Sequence, residues 1–272
     1  MKSRRSDWGR PHRRQYTIND DFLDDIEEKQ AWLIGLLAAD GCVRSNKSGF
    51  SISQSGERGK ALIETIQKML AHTGNMFHAK TSAKISHTIS ITSYKLVERL
   101  KAFNIVPRKS LTYSFPERIP PKLHSAFLRG YIDGDGSTGI YKTTWGNDTL
   151  IISFVGTKKF IERCSQIVPV PPIPRKIKHA RNTYELRWNG EKAIQFGRWV
   201  WNNPFLPRYY KQDSLDEFLL IGDTKYLRYV PIKELANDLI HGGMSVRETA
   251  RCIGVSSRTI SKWKQTKIIS SI

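Results

Sequence analysis

Two stretches of the sequence decide the fold, because they repeat one pattern at a distance. Trp32–Gly41 reads WLIGLLAADG, and Phe127–Gly136 reads FLRGYIDGDG. Each is a largely apolar run of helical length that ends in Asp-Gly, and the two acids, Asp40 and Asp135, lie 95 residues apart. A pattern that recurs within one chain indicates an internal repeat.

Small residues occur four positions apart in both stretches. They are Gly35 and Ala39 in the first stretch and Gly130 and Gly134 in the second. Small residues at this helical spacing form a flat strip on which two backbones can approach closely. The sequence therefore predicts two helices that pack face to face, with their terminal acids side by side.

A pair of acids at this place creates an electrostatic problem. Carbonyl groups at a helix C-terminus carry partial negative charge, so Asp40 and Asp135 would repel the helix ends and each other. A divalent cation bound by carboxylate and carbonyl oxygens relieves this repulsion. We therefore predict a metal site here, and we expect Gly41 and Gly136 to take the left-handed conformation that ends many helices.

The segments after the two stretches share an order of elements. Apolar periodicity locates two short strands, a helix, a further strand and a second helix in each copy. The copies close at Val106–Ser110 and Leu206–Lys211, whose Pro-Arg steps are 100 residues apart. We predict an α+β fold in which two pseudo-symmetric αββαββα repeats, residues 22–123 and 124–222, meet at a central two-helix interface.

The composition indicates a globular protein with a polyanionic partner. Of 272 residues, 39% are hydrophobic, and 44 Lys and Arg against 25 Asp and Glu give a formal charge of +19. Wholesale disorder is excluded, and the positive excess favours nucleic acid. The longest apolar run, Ala31–Ala39, is too short to cross a bilayer, so no membrane partner is expected.

The N-terminal residues and the cysteines indicate the cellular compartment. Residues 1–21 start with a basic segment that no apolar run follows, so we predict a basic arm that contacts phosphates rather than a secretory signal. Cys42, Cys164 and Cys252 lie far apart, which supports neither a zinc ribbon nor a disulfide framework. A cytoplasmic setting is expected, in a bacterial or phage-infected cell, with an organelle as the alternative.

Residues 223–272 form a separate basic and helical unit. Ser245 and Glu248 have the spacing of a capping box, and Gly254 stands where a turn between two helices needs it. This pattern resembles a small all-α helix-turn-helix domain whose second helix enters the major groove of DNA. Its candidate DNA contacts are Ser257, Arg258, Ser261 and Lys262.

Leu33–Gly41 and Leu128–Gly136 resemble the paired motifs of the LAGLIDADG homing endonuclease family, in its single-chain, two-motif form. The resemblance covers residues of roughly 30–215. It implies that the motif helices form the interface between the repeats and that the strands form a β saddle over double-stranded DNA. It also implies that a monomer makes metal-dependent double-strand breaks at a long, imperfectly symmetric site.

The resemblance assigns metal ligands to the ends of the motif helices. Asp40 and Asp135 would share two or three divalent ions, with Mg²⁺ as the expected cofactor. The backbone carbonyl groups of Ala39 and Gly134 would be additional ligands.

Three further catalytic candidates come from the same resemblance. Lys109 resembles the lysine that polarises the water or the phosphate, and Gln54 resembles the residue that orients the water. Counting from the Pro-Arg steps places Tyr209 and Phe154 at the matching positions of the second repeat. Lys211, two residues after Tyr209, is the candidate second lysine.

Basic and polar residues near the strands are candidates for contacts between the saddle and DNA. They are Arg44, Lys47, Lys142, Thr144, Arg175, Lys178 and Arg181. Two alternatives to an endonuclease stay open. One is a non-catalytic helix-turn-helix transcription regulator with a LAGLIDADG-like domain, and the other is a group I intron maturase that binds intron RNA. The presence of both Asp40 and Asp135 argues against the regulator.

Overall fold

The computed structural model describes residues 15–80, 84–144, 146–204, 206–220 and 235–265, and of residues 262–265 it describes the backbone alone. Most of the predicted basic arm, residues 1–14, lies outside this part of the chain. No helix within the described ranges is long and apolar enough to span a membrane.

The first repeat is one antiparallel sheet with helices on one side. Its elements are α1 (Glu28–Asp40), β1 (Cys42–Val43), β2 (Gly49–Ser55), α2 (Gly56–Met69), β3 (Phe77–Lys80), β4 (Ile85–Thr92), α3 (Tyr94–Lys101) and a 3-10 turn (Lys109–Leu111). The strands lie in the order β1-β2-β4-β3, and every neighbouring pair is antiparallel.

The second repeat has the same topology. After a 3-10 turn (Pro121–Leu123) come α4 (His124–Asp135), β5 (Ser137–Lys142), β6 (Asp148–Gly156), α5 (Lys158–Ile167), β7 (Arg175–Lys176), β8 (Tyr184–Asn189), α6 (Glu191–Val200), a 3-10 turn (Tyr210–Gln212) and α7 (Asp213–Leu220). The strand order β5-β6-β8-β7 matches that of the first sheet. The predicted α+β fold of two αββαββα repeats is confirmed.

Alternation along the strands gives each sheet a core face and an outer face. In the first sheet, Phe50, Ile52, Ile89 and Ile91 are buried on the core face. The residues that alternate with them form the outer face, and the second sheet is divided in the same way. Burial of alternate apolar side chains is the expected stabilisation of a sheet covered on one side.

The two motif helices approach so closely that each contact requires a glycine. A Cβ atom on Gly35 would lie 1.9 Å from the carbonyl oxygen of Phe127, and one on Gly130 would lie 1.9 Å from that of Trp32. The predicted face-to-face packing of the small-residue strips is confirmed. One polar bond crosses the interface, because Trp32 Nε1 donates to Asp133 Oδ2 at 2.8 Å.

Strand pairing fixes which residues of the two repeats correspond. Cys42 and Ser137 each stand two residues after a motif acid. Cys42 pairs with Ser51 in the first sheet, and Ser137 pairs with Ser153 in the second sheet. Ser51 therefore corresponds to Ser153, 102 positions later, whereas the acids are only 95 positions apart. The β5–β6 hairpin holds the additional residues.

The caps of the outer helices support this register. Ser55 is the N-cap residue of α2 and Thr157 is the N-cap residue of α5, again 102 positions apart. Over the second strand of each sheet and the helix that follows it, the correspondence is thus 102 positions.

The described part of the predicted arm after residue 15 packs on the first repeat. Thr17 accepts a backbone hydrogen bond from Thr73 at 3.1 Å, and Asn19 donates one to Leu70 at 2.8 Å. These residues cover the end of α2.

The described C-terminal residues form three helices: α8 (residues 235–241), α9 (Val246–Ile253) and α10 (Ser257–Gln265). Ala236, Ala250 and Ile260 are buried together as a small core. A core of this size indicates that the helices support one another.

The local signals in this unit are confirmed. The backbone N–H of Ser245 donates to Glu248 Oε2 at 3.0 Å, and the N–H of Glu248 donates to Ser245 Oγ at 3.3 Å, which completes the capping box. Gly254 has a φ of 72° and ends α9. Ser256 Oγ accepts from the backbone N–H of Thr259 at 3.1 Å and so caps α10.

Candidate active site

The two motif acids lie together at the C-terminal ends of α1 and α4. Asp40 is partly buried, and Asp135 is more exposed. A Cβ atom on Gly134 would lie 3.0 Å from Asp40 Oδ2, so the carboxylate of the first repeat rests against the backbone that immediately precedes Asp135. The helix pair therefore creates one shared acidic centre rather than two separate ones.

The surroundings of the acids disfavour their charge. Burial raises the pKa of Asp40, and the nearby Asp135 carboxylate raises it further, while the hydrogen bond from Gln54 and the charges of Lys211 and Lys109 act in the opposite direction. Burial also raises the pKa of Asp135 against the charges of the two lysines. A bound cation would stabilise both carboxylates in their ionised form.

The glycines that follow the acids do not adopt the expected conformation. Their φ angles are −72° at Gly41 and −74° at Gly136, which is extended backbone, so the prediction of a left-handed cap was wrong. Space explains the glycines instead. A Cβ atom would lie 2.5 Å from the carbonyl oxygen of Leu37 in the first repeat and 2.6 Å from that of Ile132 in the second. The extended backbone leads each helix directly into a strand.

A buried lysine binds the end of the first motif helix. Lys109 is only 5% exposed, and its Nζ donates to the carbonyl oxygens of Gly41 at 2.7 Å and Ala39 at 3.4 Å. These carbonyl groups flank Asp40 on both sides. The ammonium group therefore neutralises the negative end of the helix next to the acid.

Lys211 has the same role in the second repeat. It is 6% exposed, and its Nζ donates to the carbonyl oxygens of Gly134 at 2.5 Å and Ile132 at 2.8 Å. Because each lysine donates to carbonyl oxygens at the end of its own motif helix, Lys211 is the counterpart of Lys109, so the match with Tyr209 was wrong. The error arose because the Pro-Arg steps used for counting are not in register.

Each lysine also lies near the acid of the other repeat. Burial lowers the pKa of Lys109, and the Asp135 and Asp40 carboxylates oppose that effect, with Asp135 the stronger. Burial likewise lowers the pKa of Lys211, against Asp133, Asp40 and Asp135 in that order. The two lysines and two acids therefore form one electrostatic unit.

The carbonyl groups implied as metal ligands already have a partner. Ala39 and Gly134 each accept a hydrogen bond from a lysine, which leaves a second lone pair on each oxygen. The described residues contain no group of three or more His, Cys, Asp or Glu side chains that could hold a metal ion. The centre thus offers a cation two carboxylates and two carbonyl oxygens.

One polar side chain distinguishes the two repeats at this centre. Gln54, at the end of β2, donates from Nε2 to Asp40 Oδ2 at 2.5 Å. The strand register matches Gln54 with Gly156, not with Phe154, which is buried in the core. The earlier match was wrong because it ignored the additional residues of the β5–β6 hairpin.

Arg58 is a site residue that the sequence reasoning missed. It lies in the first turn of α2 and is exposed, and its guanidinium carbon stands 4.9 Å from the centroid of the Tyr210 ring. This cation–π contact joins the two repeats next to Lys211. Its position four residues after Gln54 is the only sequence signal that could have indicated it.

The two candidate DNA contacts of the first repeat lie beside the outer face. Arg44 donates to Thr92 Oγ1 at 2.9 Å and to Ser90 Oγ at 2.6 Å, so hydroxyl groups hold its guanidinium on that face. Lys47 is exposed in the β1–β2 hairpin, where its φ is 56°.

The candidates of the second repeat fall into two groups. Lys142 pairs with Asp148 at 2.8 Å and Arg175 pairs with Glu185 at 2.6 Å, so carboxylates already balance both charges. The remaining three are exposed in hairpin turns: Thr144, Lys178 and Arg181. The turn residues have the freer charges and hydrogen-bonding groups.

In the C-terminal unit, three of the four candidate DNA contacts are exposed. Ser257, Arg258 and Ser261 lie on α10 and face solvent. The side chain of Lys262 lies outside the described part of the chain.

A comparison with protein families finds a match within the first repeat. Residues 27–103 match the model of the LAGLIDADG-like domain. No curated protein matches the chain.

Solved structures with a similar fold include three bound to DNA. The LAGLIDADG meganuclease I-AabMI bound to uncleaved DNA has 16% identity and a TM-score of 0.48, over 89% of this chain and 99% of that one. I-DmoI in complex with DNA and Ca has 17% identity and a TM-score of 0.47, over 73% and 99%. The I-LtrWI LAGLIDADG homing endonuclease bound to target DNA has 14% identity and a TM-score of 0.46, over 93% and 100%. Residues 27–103 are similar to the LAGLIDADG-like domain, and the second repeat has the same order of elements around the same helix pair.

Proposed function

We propose that this chain is a homing endonuclease that makes double-strand breaks at a long, imperfectly symmetric DNA site. The observation that carries the proposal is the shared centre, where each motif acid stands beside a lysine bound to the same helix end. Each acid leads directly into the first strand of a sheet, so the centre lies where two sheet faces begin. The match to the LAGLIDADG-like domain supports this assignment.

Hydrolysis of a phosphodiester adds one water molecule across a P–O bond. The water oxygen bonds to phosphorus, the bond to one sugar oxygen breaks, and that oxygen leaves as a hydroxyl group with one proton of the water. In this centre, Asp40 and Asp135 orient the water, and Gln54 holds the Asp40 carboxylate in place. Lys109 and Lys211 stabilise the negative charge that grows on the phosphate oxygens.

The donor set fits Mg²⁺, which we propose as the cofactor, with two or three ions shared between the acids. Proteins commonly bind this ion through one or two carboxylates, and water and substrate phosphates complete its shell. The centre has two carboxylates whose pKa values are raised and which a cation would stabilise. When bound, the ion lowers the pKa of a water molecule and offsets charge on the phosphate.

We propose that DNA lies along the outer faces of both sheets, contacted by Arg44, Lys47, Lys142, Thr144, Arg175, Lys178 and Arg181. The C-terminal helices would act as a helix-turn-helix module that presents Ser257, Arg258, Ser261 and Lys262 to a major groove. The net charge of +19 favours such an extended contact with phosphates.

A cleavage selection tests the proposal. The protein is incubated with Mg²⁺ and a randomised duplex library, and the cut ends are sequenced. We expect one class of site, and we expect Asp40→Asn and Asp135→Asn each to abolish cutting. Asp25→Asn, which changes an exposed acid before α1, is the matched control and should cut normally.

The outcomes separate the alternatives. Specific DNA binding without cutting in any divalent cation would overturn the endonuclease and indicate a regulator. Specific binding of structured intron RNA, without DNA cutting, would indicate a maturase.

A further inference from the structure

A large apolar side chain is exposed beside the edge strand of each sheet. Phe77 on β3 is 61% exposed, and Ile173, two residues before β7, is 90% exposed. Strands β3 and β7 end the strand orders of their sheets at corresponding places. A single exposed apolar residue is ordinary on a protein surface. The face of the sheet on which each side chain lies therefore decides whether it has a role.

Phe77 lies on the outer face of the first sheet. It pairs with Thr88, and Thr88 pairs with Ser53, so the three residues form one row across the sheet. Directly paired residues of antiparallel strands have their side chains on the same face. The hydroxyl oxygens of Ser53 and Thr88 are 2.7 Å apart, in agreement with this arrangement. Phe77 is therefore the apolar end of a row of hydroxyl groups on the face proposed to lie along DNA.

Ile173 lies on the corresponding side of the second sheet. Arg175 pairs with Glu185, a residue of the outer face, and donates to its carboxylate at 2.6 Å. Burial alternates along the segment before Arg175, because Pro172 and Pro174 are partly buried whereas Ile173 is exposed like Arg175. Such alternation in an extended segment places Ile173 on the same side as Arg175. Both sheets thus have an exposed apolar side chain on the outer side of their edge.

The backbone around Ile173 is restrained. Pro174 limits the residue that precedes it to extended conformations. The start of the segment is held on the sheet, because Trp188 Nε1 donates to the carbonyl oxygen of Val170 at 2.7 Å. A partner that contacts Ile173 therefore pays little conformational entropy to order this backbone.

The charges near Ile173 indicate the chemistry of its partner. Four basic side chains are exposed in the β7–β8 hairpin and on the outer face beside it: Lys176, Lys178, Arg181 and Arg187. An apolar protein surface would leave these charges without counterions, whereas DNA supplies phosphates for them. The major groove admits a two-stranded β ribbon, and the apolar group that base edges present there is the C5-methyl group of thymine.

We propose that Phe77 and Ile173 are specificity-determining residues that each contact a thymine C5-methyl group, one in each half of the DNA site. The inference rests on the proposed binding of DNA along the outer faces. It goes beyond that function because it names the base and the chemical group that each side chain recognises. Uracil lacks this methyl group, so the same contacts favour DNA over RNA. Burial of one methyl group is expected to raise the affinity about three- to fivefold.

The experiment removes single methyl groups from the DNA. A randomised duplex pool is bound to the full-length protein in EDTA, and the recovered site is remade with each thymine replaced in turn by deoxyuridine. Fluorescence anisotropy measures the dissociation constant for each duplex. We expect one position in each half of the site at which loss of the methyl group weakens binding about three- to fivefold. Unchanged affinity at every position would overturn the inference and leave the proposed function intact.

Variants assign each methyl group to its side chain. Phe77→Ala should abolish the effect of deoxyuridine in one half of the site and leave it in the other half, and Ile173→Ala should do the reverse. Each comparison is between two duplexes bound by the same protein, so a partial loss of folding cancels from the ratio of affinities. Tyr94→Ala on α3 and Leu220→Ala on α7 change exposed side chains of similar size, and both controls should keep both effects.

The remaining outcomes separate this inference from the proposed function. If either variant loses affinity equally on the thymine and deoxyuridine duplexes, that side chain contacts another part of DNA and the inference is overturned. If the methyl effects depend on Phe77 and Ile173 but Mg²⁺ produces no cutting, the inference stands and the endonuclease is overturned. Absence of specific binding to any duplex would overturn the inference and the proposed DNA contacts together.

Discussion

The outer faces of the two sheets have the same backbone and different chemistry. The first outer face carries only hydroxyl side chains along β2 and β4: Ser51, Ser53, Ser55, Ser86, Thr88, Ser90 and Thr92. The second mixes aliphatic, acidic, basic and amide groups along β6 and β8: Ile151, Ser153, Val155, Glu185, Arg187 and Asn189. The strand register allows a direct comparison of single positions. Ser90 pairs with Ser51 and Arg187 pairs with Ser153, so Ser90 corresponds to Arg187.

The difference shows which parts of a repeat are free to change. The core faces and the helix interface must remain apolar and close-packed, so both repeats keep them. The outer faces do not contribute to that packing, so their side chains can differ between the repeats. Two unlike faces on one pseudo-symmetric frame match the imperfect symmetry of the proposed DNA site.

The largest expected effect is on stability, and it tests the close helix packing to which both repeats contribute. Gly35→Ala and Gly130→Ala should each lower the free energy of unfolding by about 4 kcal/mol or more, because the new Cβ atom meets a backbone carbonyl oxygen at 1.9 Å. Urea unfolding followed by tryptophan fluorescence measures this. Gly242→Ala, where the nearest atom is 3.3 Å away, is the control. Tolerance of alanine at only one of the two positions would show that the helices are not equivalent.

The second prediction concerns the paired lysines. Lys109→Met and Lys211→Met should each lower the cleavage rate by about 100- to 1,000-fold, because each removes a positive charge from the shared centre. Single-turnover kinetics measure the loss, and thermal unfolding reports any change in stability. Lys159→Met, on the exposed start of α5, removes the same charge elsewhere and should cut normally. A loss confined to one lysine would contradict the shared centre.

The third prediction uses a position where the motif helices differ. Burial raises the pKa of Asp133 to about 6 from an ordinary value of 3.8, partly offset by the Trp32 hydrogen bond and the Arg129 charge. The folded state therefore binds the proton more tightly than the unfolded state. The stabilising effect of this proton is complete below about pH 4 and is lost as the pH rises through 6.

Asp133→Asn removes this titration. Between pH 4 and pH 7, the stability of the variant relative to the unaltered protein should rise by about 2 kcal/mol. Urea unfolding in EDTA at both pH values measures the change. A constant difference between variant and parent across this range would contradict the raised pKa.

The smallest effect tests the outer faces themselves. Arg187→Ala should weaken DNA binding by about 1–2 kcal/mol and reduce the log–log salt dependence by about 0.9, because one cation is lost. Ser90→Ala, at the corresponding place in the first repeat, should weaken binding by less than about 1 kcal/mol and leave the salt dependence unchanged. Fluorescence anisotropy at several salt concentrations measures both. Equal effects would contradict the division between hydroxyl and charged faces.

Local patterns in the sequence were sufficient to predict the helix pair and the C-terminal caps. Gly35 and Gly130 each stand four residues before another small residue, a spacing that only close helix packing explains. Ser245 and Glu248 lie within one helical turn and form the capping box. Such features depend on neighbours in sequence, so the sequence contains the whole signal.

Features that depend on pairing between distant strands could not be predicted in this way. The β5–β6 hairpin is longer than the β1–β2 hairpin, so the residue that corresponds to Gln54 is Gly156 and not Phe154. No local sequence pattern marks which residues of the longer hairpin are additional. The strand Phe77–Lys80 has no buried residue and therefore no alternation to detect. Arg58 was missed because its ring partner lies in the other repeat.

The bond from Trp32 to Asp133 has a consequence for how the halves recognise each other. The motif helices correspond at 95 positions, so Phe127 stands in the place of Trp32 and Ala38 in the place of Asp133. Neither residue has a side-chain hydrogen-bond donor or acceptor. Two copies of either repeat could therefore not form this bond, and only an unlike pair can. Because only the unlike pair forms this bond, repeats made as separate chains would favour a complex of one first repeat with one second repeat over self-association.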